Sequence, residues 1–220
     1  MKLNICGLKT LRDVERVSKA GVDFIGGDTM KLKICGLKTL RDVECVNKAG
    51  VDFAGFVFAP HRQQVSLETA RMLKSALDPR IKSVGVFVGE PFGFIERVAG
   101  EGIVDLVQFH GDREYEMACP TIRAFRMRVK DDIKPTKCDF VLFDTFKKGT
   151  RGSTGGMFDW RLIEGYHEKP FFLAGGIDMS NIRKAMGMNP YCIDISSGVE
   201  ENCEKSLEKI MEVAYECKIW

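Results

Sequence analysis

The apolar residues of this chain fall into short runs that alternate with amphipathic segments. Eight runs of four to six residues predict strands, because they are rich in aliphatic and aromatic residues and end at Gly or at polar residues. Many of them are apolar almost without a break, as is typical of parallel strands that are covered on both faces. The runs are 31–35, 53–58, 83–88, 104–109, 122–127, 139–143, 171–174 and 191–195.

Helical periodicity fills the intervals between these runs. In 39–49 an apolar residue recurs every third position, with Thr39 as the expected N-cap and Gly50 as the expected C-terminal stop. Weaker helical patterns occupy 66–77, 91–100, 113–118, 158–166, 180–187 and 203–217. Strands that alternate with helices predict a parallel sheet with right-handed crossovers. Eight such units favour a closed (β/α)8 TIM barrel in the α/β class over an open doubly wound sheet.

The first 58 residues contain a tandem duplication. Residues 1–29 and 30–58 differ at only seven positions, and each copy carries a Cys-Gly pair where its strand ends, at Cys6 and Cys35. The first copy ends in Gly-Asp-Thr, whereas the second ends in Phe-Val-Phe and so completes a second strand. We therefore predict that 30–220 form one barrel domain, whose first strand comes from the second copy.

Under this prediction residues 1–29 are a spare strand and helix. They have three possible fates: packing on the outside of the barrel, fraying, or exchange into another copy of the chain, since identical segments can swap between protomers. The expected assembly is a monomer or a homodimer, with the duplicated segment as the part that could be exchanged.

Composition narrows the function classes. Of the 220 residues, 45% are hydrophobic and 29% are charged, and the net charge of +2 argues against a nucleic-acid surface. The chain has neither an apolar run long enough for a membrane span nor a signal-peptide pattern, so we expect a cytoplasmic protein with no membrane partner. Its eight cysteines are then expected to be reduced thiols, and without a C-x-x-C pair a zinc site is not expected.

Polar residues at the strand ends are the candidates for chemistry, because a TIM barrel carries its site at the carboxyl ends of its strands. Cys35 is a candidate base or an inert buried thiol, and its role depends on the pKa that its surroundings impose. Asp144 follows four apolar residues, so it must be hydrogen-bonded, protonated or placed at a cleft mouth. His110 is either a strand-end histidine with satisfied hydrogen bonds or a contact to a substrate, and the Gly-rich segment 149–159 predicts a lid.

Small residues follow the last two strands. Gly175 and Gly176 come after the seventh strand, and Ser196, Ser197 and Gly198 come after the eighth. In TIM barrels these two loops commonly bind phosphate through backbone N–H groups. The pair of loops favours a phosphate site over ordinary turns.

These motifs, taken in order, resemble the phosphoribosylanthranilate isomerase family of tryptophan biosynthesis. The segments that carry the resemblance are KICGLK at 33–38, GFVFAP at 55–60, VGVFV at 84–88, VQFHGD at 107–112, LFDT at 142–145, GSTGGMFDW at 152–160, FLAGGI at 172–177 and DISSGVE at 194–200. The resemblance implies a compact TIM barrel that converts N-(5-phosphoribosyl)anthranilate by an Amadori rearrangement, without a metal or a cofactor.

The resemblance also implies residue roles. Cys35 corresponds to the general base that removes the proton from ribose C2, and Asp144 to the general acid that protonates the ring oxygen. The two small-residue loops match the phosphate site, while His110 and Asp194 match positions that line the sugar and anthranilate ends. One departure concerns the anthranilate carboxylate, because Gln63 stands where the family has an arginine. The neighbouring Arg62 is the expected substitute.

Two alternatives stay open at this stage. A histidine-pathway isomerase is a related phosphosugar barrel, but such a protein would be expected to have Asp in place of Cys35. The second alternative is a scaffold, with weak or no activity, in which the duplication perturbs the barrel. Every residue that the resemblance requires for catalysis is present, which favours the isomerase.

Overall fold

Eight parallel strands close into a ring in the computed structural model, which describes residues 30–111, 113–145 and 158–219. Each strand is hydrogen-bonded to the next along the chain, and the last is bonded to the first. The strands are β1 Lys31–Cys35, β2 Phe53–Val57, β3 Lys82–Phe87, β4 Leu106–Phe109, β5 Thr121–Met127, β6 Phe140–Thr145, β7 Phe171–Leu173 and β8 Cys192–Ile195. The TIM barrel predicted from the alternation of strands and helices is confirmed.

The seam of the ring lies at β1, which pairs with β2 on one side and with β8 on the other. In this register Lys33 is the partner of Asp194, and Cys35 is the partner of Gly55. The second copy of the repeat therefore supplies the first strand of the barrel. Residues 1–29 lie outside the described residues, so their packing, fraying or exchange stays a prediction.

Helices cover the outside of the ring. They are α1 Leu40–Ala49, α2 Leu67–Ala76, α3 Phe92–Gly100, α4 Ile182–Met186 and α5 Leu207–Ile219. In α1 the Thr39 hydroxyl accepts a hydrogen bond from Asp42 N at 3.1 Å, and the Asp42 carboxylate accepts one from Thr39 N at 3.0 Å. This capping box marks the start of the helix, and Gly50, in the left-handed region (φ 62°), marks its end. Both lie where the sequence predicts. Within the described ranges no helix has the length and apolar character needed to cross a bilayer.

The predicted helix at 113–118 is wrong, because this segment has no regular structure. Six residues are too few to stabilise a helix without tertiary support, and Glu114 instead binds a neighbouring loop. Its carboxylate accepts hydrogen bonds from the Thr136 hydroxyl at 2.6 Å and from Lys137 N at 3.2 Å. The helical pattern at 158–166 gives one 3-10 turn, Trp160–Ile163.

A small hairpin follows β8. Its strands are β9 Glu200–Glu201 and β10 Glu204–Lys205, and the two turn residues Asn202 and Cys203 have φ of 50° and 65°. Positive φ at both turn residues suits the twist of a two-residue hairpin. The predicted helix at 203–217 consequently begins later, at Leu207.

The interior of the ring is apolar near the amino ends of the strands and polar nearer their carboxyl ends. Alternate residues of each strand point inward. Those nearest the amino ends of the strands form a single apolar cluster around Phe53 and Phe172, whose rings meet edge to face at 5.4 Å. The next inward residues along β1, β4 and β8 are Lys33, Gln108 and Asp194, all buried. The apolar cluster closes the bottom of the barrel, which leaves the carboxyl ends of the strands as the open face.

Candidate active site

A cavity opens at the carboxyl ends of the strands. Its volume is about 870 Å³ when the space that opens to solvent is counted. It brings together eight of the ten site residues predicted from the sequence: Cys35, His110, Asp144, Gly175, Gly176, Asp194, Ser196 and Ser197. Arg62 and Gly198 are not among its lining residues.

A buried ion pair forms the floor of this cavity. Lys33 is fully buried, and its ammonium donates to Asp194 Oδ2 at 2.7 Å and to Gln108 Oε1 at 3.0 Å. Although burial opposes its charge, the nearby Asp194 and Cys35 raise the pKa of Lys33, so the side chain stays protonated. The other carboxylate oxygen of Asp194 is buried and has no hydrogen-bond partner among the described residues. Asp194 also lines the cavity, so the ion pair lies directly beside the space that opens to solvent.

Cys35 is the next inward-facing residue after Lys33 on β1, closer to the carboxyl end of the strand. Burial raises the pKa of its thiol, and the ammonium of Lys33 is the main group that opposes this rise, followed by Lys205. Asp194, the other charged group near the thiol, raises the pKa further. The thiol packs on the backbone of β2, where a Cβ added to Gly55 would come within 2.7 Å of Cys35 Sγ. Glycine at 55 therefore leaves the space that the thiol occupies.

Asp144 is the last inward-facing residue of β6 and lines the cavity, next to Thr145 at the end of the strand. Burial raises the pKa of its carboxyl group to about 6, against the effect of a hydrogen bond from Thr145 N to Oδ1 at 2.7 Å. Asp194 contributes to the rise, while Arg126 and Lys33 oppose it. In contrast to Asp194, Asp144 has no Lys or Arg within 4 Å in the described structure. A carboxyl group in this state can hold a proton close to neutral pH.

His110 and Arg126 form a second polar pair at the same level. Arg126 Nε donates to His110 Nε2 at 2.9 Å, so the ring proton of a neutral imidazole must be on Nδ1. Burial and the positive charge of Arg126 lower the pKa of His110 to about 3. His110 is therefore neutral although its Nε2 lies 3.8 Å from Asp144 Oδ2. The imidazole does not act as a cationic partner of the acid.

The two small-residue loops meet above β7 and β8. Gly175 and Gly176 have φ of 90° and 74°, and neither backbone N–H donates to an acceptor in the described part of the chain. A Cβ at Gly175 would overlap Thr145, and one at Gly198 would overlap the carbonyl oxygen of Ile177. Gly198 thus allows the two loops to touch, while Ser196 and Ser197 line the cavity.

Glu200 organises the wall of the cavity near β2. Arg62 Nη2 donates to Glu200 Oε2 at 2.5 Å, and the buried Gln63 donates through Nε2 to Glu200 Oε1 at 2.5 Å. Lys205 Nζ is 3.0 Å from the same Oε1. Gln63 lines the cavity, whereas the Arg62 guanidinium is held by Glu200. The predicted contact between Arg62 and a substrate carboxylate stays a prediction.

The fold and this arrangement of residues match one family of known proteins. A profile described as "PRAI: N-(5'phosphoribosyl)anthranilate (PRA) isomerase" matches residues 32–215. An N-(5'-phosphoribosyl)anthranilate isomerase of Endomicrobium trichonymphae is 44% identical over 220 residues, which cover 96% of this chain and 95% of the relative. The chain belongs to the N-(5'-phosphoribosyl)anthranilate isomerase family.

Solved isomerases of this family share the barrel. The enzyme from Thermotoga maritima is 30% identical and superposes with a TM-score of 0.76, covering 87% of this chain and 100% of that structure. The enzyme from Thermus thermophilus is 29% identical with a TM-score of 0.74, covering 84% of this chain and 97% of that structure. Another solved family member contains reduced 1-(o-carboxyphenylamino)-1-deoxyribulose 5-phosphate. It is 29% identical, has a TM-score of 0.72, and the match covers 87% of this chain and 100% of that structure.

Several residues of this isomerase-family site were not singled out from the sequence, chiefly Lys33, Gln108 and Arg126. Sequence reasoning looked for polar residues after each strand, whereas these three lie within strands. Strand alternation carries the missing signal, because Lys33 lies two residues before Cys35 and Gln108 two before His110 on the same face. The predicted lid at 149–159 lies mostly outside the described residues, which resume at Phe158.

Substituting the buried cation tests its effect on the thiol. Lys33→Met should raise the pKa of Cys35, because it removes the main group opposing the burial effect, and alkylation of Cys35 should slow at a given pH. The rate of carbamidomethylation as a function of pH, followed by mass spectrometry, measures this shift. The variant should also lose about 3–5 kcal/mol of stability because Asp194 is left unpaired, so its fold must be verified by circular dichroism.

The matched control is Lys31→Met, on the same strand. Lys31 is partly exposed, and its Nζ lies 3.8 Å from Asp52 rather than in the cavity. This substitution removes the same charge and should leave the alkylation midpoint of Cys35 unchanged. Equal midpoints in folded Lys33→Met and Lys31→Met would contradict the role assigned to Lys33.

Proposed function

We propose that this chain isomerises N-(5'-phosphoribosyl)anthranilate to 1-(2-carboxyphenylamino)-1-deoxyribulose 5-phosphate in tryptophan biosynthesis, with Cys35 as the general base and Asp144 as the general acid. The observation that carries the proposal is the pairing of a thiol on β1 with a protonatable carboxyl group on β6 across one cavity. Membership of the isomerase family supports the substrate and the reaction. An intact ring and cavity argue against the alternative of a perturbed scaffold.

The reaction needs one proton delivered and one removed from the same sugar. Asp144 donates its proton to the ribose ring oxygen as the C1–O bond breaks, and the anthranilate nitrogen forms an iminium ion with C1. The Cys35 thiolate then takes the proton from C2. The electron pair of that C–H bond forms the C1=C2 double bond, and the π electron pair of the C1=N bond returns to the nitrogen. The enolamine formed in this way tautomerises to the ketone product. Groups on different strands can serve both steps without the substrate turning over.

The pKa values of the two groups have a consequence for the active protonation state. The reaction requires Cys35 ionised and Asp144 protonated, while burial raises the pKa of both groups. At neutral pH the thiol is mostly protonated and the carboxyl group mostly ionised. A small fraction of the enzyme molecules therefore has the reactive combination of thiolate and carboxylic acid.

The loops after β7 and β8 are proposed to hold the substrate phosphate. The backbone N–H groups of Gly175 and Gly176, which have no acceptor among the described residues, and the hydroxyls of Ser196 and Ser197 offer donors to a phosphate oxygen. Gly198 contributes by letting the two loops approach each other. An anion held here anchors the ribose between Cys35 and Asp144.

Two further expectations accompany this function. A biosynthetic enzyme of this kind is expected in the cytoplasm, in agreement with the sequence prediction. A monomer or a homodimer is the expected assembly, and one 29%-identical relative from Thermotoga maritima is described as monomers generated from a dimeric phosphoribosylanthranilate isomerase. Exchange of the duplicated segment between copies remains the third possibility for residues 1–29.

The duplication offers a matched pair of variants for the proposed base. Cys35→Ala should lose about 10²- to 10⁴-fold in kcat, the usual contribution of a general base. Cys6→Ala carries the same substitution in the first copy and should keep wild-type turnover, since β1 comes from the second copy. Steady-state kinetics with freshly prepared N-(5'-phosphoribosyl)anthranilate measures both. A wild-type chain without turnover would support the scaffold, and a loss with Cys6→Ala alone would reverse the assignment.

The pH profile of kcat/KM should rise up to about pH 6, stay level through neutrality and fall in the alkaline range. Below pH 6 Asp144 is protonated, so the rate follows the thiolate fraction of Cys35 upward. Above pH 6 the gain in thiolate is offset by the loss of the Asp144 proton, until the thiol itself has ionised.

Asp144→Asn identifies the group responsible for the break near pH 6. Its residual activity should be about 10²- to 10⁴-fold lower and should rise with pH through neutrality, because only the thiol then titrates. The substrate phosphate also has a pKa near 6, so the variant separates the two sources. A break near pH 6 that persists in Asp144→Asn would contradict the assignment of the acid.

A further inference from the structure

The cations in and around the cavity differ in how many protein acceptors they already have. Lys33 is bound by Asp194 and Gln108, and the Arg62 guanidinium is bound by Glu200. Lys205 is bound by Glu200 and by the carbonyl oxygen of Ser196, at 3.0 and 2.9 Å. These three cations therefore have protein acceptors before any substrate arrives.

Arg126 differs from them. Its Nε donates to His110 Nε2 at 2.9 Å, and no carboxylate of the described chain lies within ion-pair distance of its guanidinium. The two terminal nitrogens have no protein acceptor in the described structure, although Arg126 lines the cavity. A planar guanidinium with both terminal nitrogens open is suited to a carboxylate, which it can bind through two parallel hydrogen bonds.

His110 holds this guanidinium in place. The imidazole is buried on the carboxyl side of β4 and accepts from Nε, which leaves the opposite edge of the guanidinium facing away from it. The low pKa of His110, about 3, keeps the ring neutral, so it orients Arg126 without competing for an anion or repelling the guanidinium. An arginine oriented in advance loses less side-chain entropy when it binds a ligand.

The position of Arg126 in the ring also fits a second anion. The phosphate loops follow β7 and β8, while β3 and β4 lie across an eight-stranded ring from them. Arg126 belongs to β5 and is bonded to His110 next to β4, so its guanidinium is on the side away from the phosphate loops. The proposed substrate carries its two anionic groups at opposite ends, a phosphate on ribose C5 and a carboxylate on the aromatic ring.

We propose that Arg126 binds the carboxylate of the anthranilate ring and that His110 is the positioning residue for its guanidinium. This inference rests on the proposed function, since it assigns one end of that substrate. Arg126 would then select N-arylamines with an ortho carboxylate over arylamines without one. The family resemblance places the carboxylate contact after β2, at position 63 or at Arg62. Because Gln63 has no charge and Arg62 is already bound by Glu200, we assign the contact to Arg126 on β5 instead.

The test compares two ligands and several variants by isothermal titration calorimetry. The ligands are reduced 1-(2-carboxyphenylamino)-1-deoxyribulose 5-phosphate and the same compound without its carboxyl group. Arg126→Gln should weaken binding of the first on the order of 10- to 100-fold, as expected for the loss of charge-assisted hydrogen bonds, and binding of the second less than about 2-fold. Arg123→Gln, on the same strand but contacting Arg113 O and Glu114, should change neither.

The role of His110 is tested with the same ligands. His110→Ala should show a selective loss in the same direction as Arg126→Gln, because the guanidinium is no longer held. His110→Gln supplies a side-chain oxygen that can accept from Nε and should recover part of the selectivity. Equal affinities of His110→Ala and wild type for the carboxylated ligand would overturn the positioning role.

Four outcomes would overturn the assignment of Arg126. An equal loss for both ligands in Arg126→Gln would mean that the residue supports the cavity as a whole. A selective loss in Arg62→Gln, with none in Arg126→Gln, would assign the carboxylate to Arg62. Tight binding of the carboxylated ligand that Arg126→Gln leaves unchanged would reject this inference and leave the proposed function standing. A wild-type chain that binds neither ligand and has no turnover would instead reject the proposed function and, with it, this inference.

Discussion

The ion pair between Lys33 and Asp194 links the closure of the barrel to the chemistry of its cavity. The two residues are partners in the register of β1 and β8, the strands that meet at the seam of the ring. A slip of one residue in either strand would turn the charge of that strand toward the apolar layer under the helices and leave its partner unpaired inside the ring. Such a pair contributes little net stability in a dry interior, but separating its members is costly. The pair therefore specifies the register of the seam more than it strengthens it.

The same pair also divides the roles of the two carboxyl groups in the cavity. Asp194 has an ammonium at 2.7 Å, while Asp144 faces a neutral imidazole and has no cation of this kind. Among the described residues Asp144 has no Lys or Arg within ion-pair distance, and burial raises its pKa to about 6. Catalytic acids are commonly made in this way, by withholding a counter-ion rather than by adding a special group. This difference explains how one apolar barrel can hold a charged ion pair and, beside it, a carboxyl group that takes up a proton close to neutral pH.

The sequence predicts the strands better than the inside of the ring. Apolar runs locate all eight strands, and motif matches locate Cys35 and Asp144, because these signals are local. Lys33 and Arg126 were missed, since a cation within a strand is normally assigned to solvent and only ring closure turns it inward. The segment 113–118 was misassigned for a related reason: Glu114 binds a loop that is distant in sequence. Long-range contacts decide these positions, and one sequence does not display them.

Direct titration of Asp144 tests the central claim, that burial without a counter-ion makes this residue the acid. The side-chain carboxyl carbons can be followed by 13C NMR in protein labelled at aspartate, with Asp144→Asn used to assign the signal. We predict a midpoint at about pH 6. A midpoint near the ordinary value of 3.8 would contradict the account, because the protonated fraction of Asp144 at neutral pH would then be roughly a hundredfold smaller.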